Sequence, residues 1–262
     1  MGRHHVATEE ELASVRARLL GLISEDRIRA VEIRRPPRAV IDGFLELTDL
    51  CSTISDALDE LGVGGAIAGR VLQQRLEGSR VIGPAITIRY AQEEGTVGAL
   101  VARGESARLA DRDLYGVGRP GDVAVFDCGG FEGASVMGGL SGMWARRLEM
   151  AACVIDGAIR DLDSIRRDGI PVWSRAVTPV SGKHRLQAIE INGAVSLGGV
   201  TVLPGDVIAA DETGVCVVPA AHVEAVLKIC LAADDAESSL LDAIKGGASP
   251  EEVAKILRPD RW

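Results

Sequence analysis

The stretch Gly138–Ser164, GGLSGMWARRLEMAACVIDGAIRDLDS, brings three chemical capabilities together within 27 residues. Gly138 and Gly139 stand before a helical segment. The backbone N–H groups from there to Ser141 lack intrahelical partners, and the positive end of the helix dipole favours a carboxylate or phosphate beside them. Arg160 is a second anion-handling group, permanently charged and able to offer a planar fork to two oxygens. Asp161 beside it is a hard oxygen donor of the kind a divalent cation takes. The combination suits an anionic substrate handled next to a metal ion. Gly-Gly also serves ordinary turns and Arg-Asp ordinary surface pairs, so the chemistry depends on the elements that would hold these residues together.

The spacing predicts a helix over 143–150, a strand over 151–156, a helix over 160–168 closed by Gly169, and a short strand over 170–176. Arg80–Tyr90 (RVIGPAITIRY) reads as a strand interrupted by Gly83-Pro84. PGDVAVFD from Pro120 and PGDVIAAD from Pro204 repeat one phrase: a tight turn feeding a buried strand that ends at Asp127 or Asp211. Further strands are expected over 200–203 and 215–218, and strand–helix alternation implies an α/β domain with part of its sheet parallel. Thr8 and Glu11 have capping-box spacing and head an amphipathic helix expected over about 8–24. Arg27–Val40, with Pro36-Pro37, reads as a connecting arm. STISDALDEL at 52–61 is a helix capped by Gly62; its Asp56, Asp59 and Glu60 read as a solvated face. A long helix over 220–244 and a short one over 250–257 end the chain. The division is residues 1–48, helix and arm, and 49–262, the α/β domain.

Composition narrows the function. Of 262 residues, 47% are hydrophobic and 26% charged, as in an ordinary globular protein. A net charge of −9 and only 3% aromatic residues oppose a nucleic-acid partner. No apolar run is long enough for a membrane span, and MGRHHVATEEELA lacks an apolar signal core, so a cytoplasmic protein is expected. Five cysteines without a C-x-x-C pair read as buried thiols in a reducing compartment. With His4 and His5 at the extreme N-terminus, only His184 and His222 remain for the fold, which excludes a three-histidine zinc site. His184 reads as a surface residue or a proton shuttle. Lys183, Lys228, Lys245 and Lys255 lie in polar or helix-surface contexts, unlike a Schiff-base lysine.

The spacing Gly139-x20-Arg160-Asp161 resembles the signature of the RraA-like family, which joins the regulator of ribonuclease activity A to class II 4-hydroxy-4-methyl-2-oxoglutarate aldolases. Supporting phrases are ISDALDELG at 54–62, VIGPAITIR at 81–89, VIDGAIRDLDSI at 154–165 and GGVTVLPGDVIAADETGVCVVP at 198–219, spread over about three quarters of the chain. The resemblance implies a β/β/α swivelling-type α/β fold, here with an added N-terminal helix and a long C-terminal helix, assembled as a homotrimer or homohexamer with sites between protomers. It further implies Mg2+ or Mn2+ held by Asp161 and through waters by an acid of a neighbouring subunit's C-terminal helix, matched here to Glu237, with Asp234 and Asp235 as the alternatives. A small 2-oxo acid would be received at Gly139, Leu140 and Ser141, and Arg160 would stabilise the enolate as pyruvate is released. The family pattern places an acid at position 164, where this chain has Ser164; Asp163 is one position early, about 100° around a helix. The leading expectation is a metal-dependent carbon–carbon lyase, an aldolase or oxaloacetate-type decarboxylase. The alternatives are a non-catalytic regulator binding a ribonuclease or helicase, and a lyase or dehydratase for a sugar-derived acid.

Overall fold

The computed structural model describes residues 6–256. Along the chain run α1 (Glu9–Val15), α2 (Arg38–Leu45), α3 (Leu50–Glu60), β1 (Ala66–Ala68), β2 (Gln73–Gln74), β3 (Val81–Gln92), α4 (Val97–Ala102), α5 (Asp111–Val117), β4 (Val123–Asp127), β5 (Ser135–Met137), α6 (Gly139–Arg147), β6 (Ala152–Ile159) and α7 (Leu162–Arg167). There follow β7 (Val172–Val177), β8 (Leu186–Ile191), β9 (Val195–Leu197), β10 (Val200–Val202), β11 (Val207–Ala210), β12 (Gly214–Val218), α8 (Val223–Lys245) and α9 (Pro250–Ile256).

The long strand β3 is the spine of a mixed sheet ordered β1-β12-β11-β3-β4-β6-β7-β2. Its first half pairs antiparallel with β11 and its second half parallel with β4, while β8 joins its far end. Gly83 sits where the partner changes: a Cβ there would lie 2.3 Å from the Gly121 carbonyl oxygen, so only glycine permits this approach. Strands β4, β6 and β7 continue in parallel, and the first two are buried along their whole length. That explains their unbroken apolar runs, since helices or loops cover both faces.

Three apolar clusters hold the molecule. One joins Ile86, Phe126 and Ile155 of the sheet to α1, α5, α6 and α7. A second packs Ile82, Val207 and Cys216 against α2, α3 and α8. The third places the β9–β10 hairpin over Val125, Val154 and Trp173. Residues before Asp49 enter the first two, through Leu12, Val15 and Ile28 and through Ile41 and Phe44.

The repeated PGD phrase forms one turn twice. Asp122 N–H donates to Arg119 O and Asp206 N–H to Leu203 O, with Gly121 and Gly205 at φ +87° and +90°. Each aspartate side chain then accepts the N–H three residues back, at 2.8 Å in both cases.

The N-terminal region departs from expectation. The capping box of Thr8 and Glu11 forms, but the helix stops at Val15 instead of reaching residue 24. Beyond it, the N–H groups of Leu20, Leu22 and Ile23 donate to the buried Asp113 carboxylate at 2.6, 2.5 and 3.1 Å. A charge-assisted acceptor thus takes amides that a helix would have bonded internally. The arm also contains a helix that its prolines concealed, α2, which starts directly after Pro37; proline is compatible with a helix start because the missing N–H would be unpaired there. Residues 160–161 do not open a helix either. Arg160 follows β6, and Asp161 precedes α7 with φ +54° and ψ +42°. The last residue expected to be helical, Leu257, lies outside the described residues, as do His4 and His5. No helix among those described is long and apolar enough to cross a membrane.

Candidate functional site

Strand β5, helix α6 and strand β6 form a parallel β–α–β unit, which sets the start of α6 beside the end of β6. The 20 residues separating Gly139 from Arg160 are the length of that excursion. Arg160 N–H donates to Met137 O at 2.9 Å, tying the two ends together. Asp161 Oδ2 accepts the Gly139 N–H at 3.0 Å and lies 3.4 Å from Arg160 Nε.

Two observations mark this junction as built for something other than stability. Asp161 holds a left-handed conformation, which costs an L-residue on the order of 1 kcal/mol and persists only where its surroundings impose it. A Cβ on Gly138 would sit 2.5 Å from Asp161 Oδ2 and 3.1 Å from Arg160 Nε, so the bare glycine makes room for the pair. Both side chains remain substantially exposed, 38% and 44%, and such a pair adds little to folding.

Arg160 and Asp161 open on a cavity of about 190 Å³ with Gly138, Leu140 and Ser141. The Gly139 N–H is committed to Asp161, so of the three residues expected to receive an anion only Leu140 and Ser141 keep amides without a backbone acceptor among the described residues. Four residues that the sequence did not single out for the site complete the lining: Val136 and the ionisable Asp111, Arg112 and Lys183. Asp111 and Arg112 come from the first turn of α5, and Lys183 from the loop between β7 and β8. Lysine at 183 is therefore a cavity residue, not the plain loop lysine its sequence context suggests. His184 next to it has φ +58° and is not part of this lining.

Asp111 is almost wholly buried, and burial pushes its carboxyl above the ordinary aspartate range; the Ser141 hydroxyl and the Arg112 guanidinium oppose the shift and Asp113 adds to it. Tyr115 Oη lies 3.0 Å from Ser141 Oγ, so Asp111, Ser141 and Tyr115 form a continuous polar path under the start of α6. Ser164 packs against that start as well: a Cβ on Gly139 would be 3.0 Å from its Cβ, and its Oγ accepts from Arg167 Nη2 at 3.1 Å.

The donor set bears on a metal. Asp161 is the one acidic ligand expected in this chain that reaches the cavity, and no group of three His, Cys, Asp or Glu side chains poised for a metal occurs among the described residues. Glu237 is exposed on α8, a helix that packs on α2, α3 and α9. Asp161 Oδ1 accepts no hydrogen bond from the described residues. One carboxylate with a free oxygen, completed by waters and substrate oxygens, fits the ligand habit of Mg2+, which seldom takes an all-protein cage.

The Aldolase/RraA family model matches residues 51–217, a span that runs from α3 to β12 and includes the cavity residues named above. The chain belongs to the RraA-like family. Among curated relatives, protein DlpA of Legionella pneumophila is 34% identical over 201 residues, covering 76% of this chain; the chain spans only 31% of that protein's length. A "Putative 4-hydroxy-4-methyl-2-oxoglutarate aldolase" of Halalkalibacterium halodurans is 32% identical over 192 residues, 73% of this chain and 83% of the relative. Among solved structures, an uncharacterized Pseudomonas syringae protein superposes with TM-score 0.69 at 26% identity, over 83% of this chain and 97% of that one. Streptomyces coelicolor RraAS2, described as an unusual member of the RNase ES inhibitor RraA protein family, superposes with TM-score 0.66 at 24% identity, over 79% and 98%. RraA-like proteins thus share this mixed α/β fold, and the RraA-like chain described here carries helices at both ends of it.

Proposed function

We propose that this RraA-like chain is a divalent-metal-dependent carbon–carbon lyase that releases pyruvate from a small 2-oxo acid. The observation that carries the reading is the meeting, in one cavity, of a guanidinium, a strained and partly unpaired carboxylate, and the open N-terminus of α6. The kinship with proteins named as aldolases agrees with it.

Asp161 would hold Mg2+ or Mn2+, with Glu237 of a neighbouring copy as a further acid reaching its waters. Bound there, the cation would polarise the 2-oxo group as a Lewis acid. The Leu140 and Ser141 amides receive the substrate carboxylate, assisted by the helix dipole. When the C3–C4 bond breaks, its electron pair moves onto the keto oxygen. The Arg160 guanidinium faces that oxygen and compensates a charge that is larger in the transition state than in the ground state, which is the condition for acceleration. The C4 hydroxyl proton leaves to a base as the bond breaks, and C3 takes a proton to complete pyruvate. Asp111 and Lys183 are the further ionisable groups placed in the cavity to carry those protons, Asp111 through Ser141 Oγ.

The test is pyruvate release from 4-hydroxy-4-methyl-2-oxoglutarate and from oxaloacetate with Mg2+ or Mn2+, repeated after chelation. The expected result is release that stops on chelation and returns with metal. Absence of release from both substrates with either metal would overturn the lyase reading.

A further inference from the structure

We propose that the chain has a second anion-binding site, distinct from the Arg160 cavity, in which Arg75 and Arg166 grip a doubly charged oxyanion such as a phosphoryl group or a dicarboxylate. A cavity of about 630 Å³ lies beyond strands β7 and β2 and is lined in part by Arg75, Arg166, Gln73, Gly69, Glu77 and Glu212.

Arg75 is half-buried there, and every acceptor it has among the described residues is neutral. Its Nε donates to Ser174 Oγ at 2.7 Å, Nη1 to Gln73 Oε1 at 2.9 Å and Nη2 to Ser174 O at 2.8 Å. Arg166 is brought directly onto it, its Nε donating to the Arg75 carbonyl at 3.0 Å. Two guanidiniums therefore share one concave wall without a carboxylate partner among the described residues. Glu77 and Glu212 line the same space but are exposed and pair with neither. Burial and the Arg166 charge both press the Arg75 guanidinium below the usual arginine range, the electrostatic signature of a positive charge without compensation.

A surface pair of arginines would ordinarily splay into water. Here Arg75 is fixed by three hydrogen bonds to the β7 and β2 edge, so its charge stays in place, and the exposed Arg166 is tied beside it through the Arg75 carbonyl. An oxyanion seated between them relieves their repulsion and accepts from the Arg166 Nη atoms, which have no described acceptor. The planar forks suit the spaced oxygens of phosphate or carboxylate, and the cavity has room for a small molecule that carries such a group.

Isothermal titration calorimetry at low ionic strength tests this with the full chain, using inorganic phosphate and succinate as separate probes. The expected result is saturable binding of at least one, with a component that is weakened about tenfold or more in Arg166→Gln by loss of a charge-assisted fork and retained in Arg160→Gln, which alters only the other cavity. The Arg166 side chain makes a single described hydrogen bond, so its variant is expected to fold; Glu212→Gln, which removes a nearby negative charge, is expected to bind more tightly. Phosphate alone binding identifies a phosphoryl ligand, succinate alone a dicarboxylate, and either outcome supports the site. Binding of neither, equal binding by Arg166→Gln and the native chain, or loss only in Arg160→Gln would overturn it.

Discussion

Two sets of aspartates in this molecule look alike in sequence and are treated oppositely by the fold. Asp113, Asp122, Asp127, Asp156 and Asp206 are buried with both carboxylate oxygens in use: Asp127 accepts Gly129 and Ser196 N–H, Asp156 accepts Gly198 N–H and the Arg175 guanidinium, and Asp206 accepts Leu203 and Ala220 N–H. They pin loops and the β9–β10 hairpin to the sheet. Around the Arg160 cavity the rule reverses. Among the described residues, Asp161 is half-exposed with one oxygen free, and Asp111 is buried without an ion-pair partner. A carboxylate whose valences are all filled is a clamp, and one held in place but left unfilled is available for chemistry. The lesson is that bonding state, not residue type, separates structure from function here.

The sharpest way to break this contrast is Asp161→Asn. The amide oxygen can still accept the Gly139 N–H, so the melting temperature is expected to stay near that of the native chain. Pyruvate release is expected to fall by about 100-fold to 1000-fold, the scale of losing one electrostatic contributor to the transition state, because the cation that would polarise the 2-oxo group loses its charged ligand. Loss of fold together with activity would instead make Asp161 another clamp.

Asp113→Ala is the converse. It leaves three amides of the N-terminal segment without their acceptor, at a cost of about 3 kcal/mol, and denaturant unfolding would show the loss. A variant that unfolds like the native chain would mean that the segment from Leu20 to Ile23 is not held through this carboxylate. A smaller effect is expected from Gly138→Ala, whose new Cβ must push Asp161 aside. Displacement of that order typically costs about tenfold to a hundredfold in turnover with little change in stability; unchanged turnover would show that the pair tolerates the shift.

How much of this was legible in advance follows the range of each signal. The spacing from Gly139 to Arg160 is local to one β–α–β unit, so both ends could be foreseen together. The paired PGD turns and the Thr8 capping box are likewise encoded within a few residues and form as expected. Asp111 and Lys183 stand 72 positions apart, from 111 to 183, and meet only through tertiary packing. Nothing in their immediate neighbours announces a cavity; the one local trace is the acidic opening Asp111-Arg112-Asp113 before a fully buried Leu114–Val117 run. The N-terminal helix was overestimated for the same reason, because the Asp113 acceptor that ends helical bonding lies 90 residues away from Ile23.

The subtlest prediction concerns Asp111, where the two classes meet: buried like a clamp, unpaired like a site residue. In the unfolded chain its carboxyl loses its proton near pH 3.8, whereas burial holds the proton on to higher pH in the folded protein. Between those two values the folded state binds more protons than the unfolded state, so stability falls as pH rises through that window and stays lower above it. Asp111→Asn cannot ionise and removes this slope. The variant is therefore expected to gain unfolding free energy relative to the native chain as pH rises from about 4 to 8, by about 1.4 kcal/mol for each unit separating the folded and unfolded values, read by denaturant unfolding. A difference that is flat with pH, or that favours the native chain at pH 8, would mean that Asp111 is stabilised as a carboxylate by Arg112 or Lys183. It would then belong with the clamps.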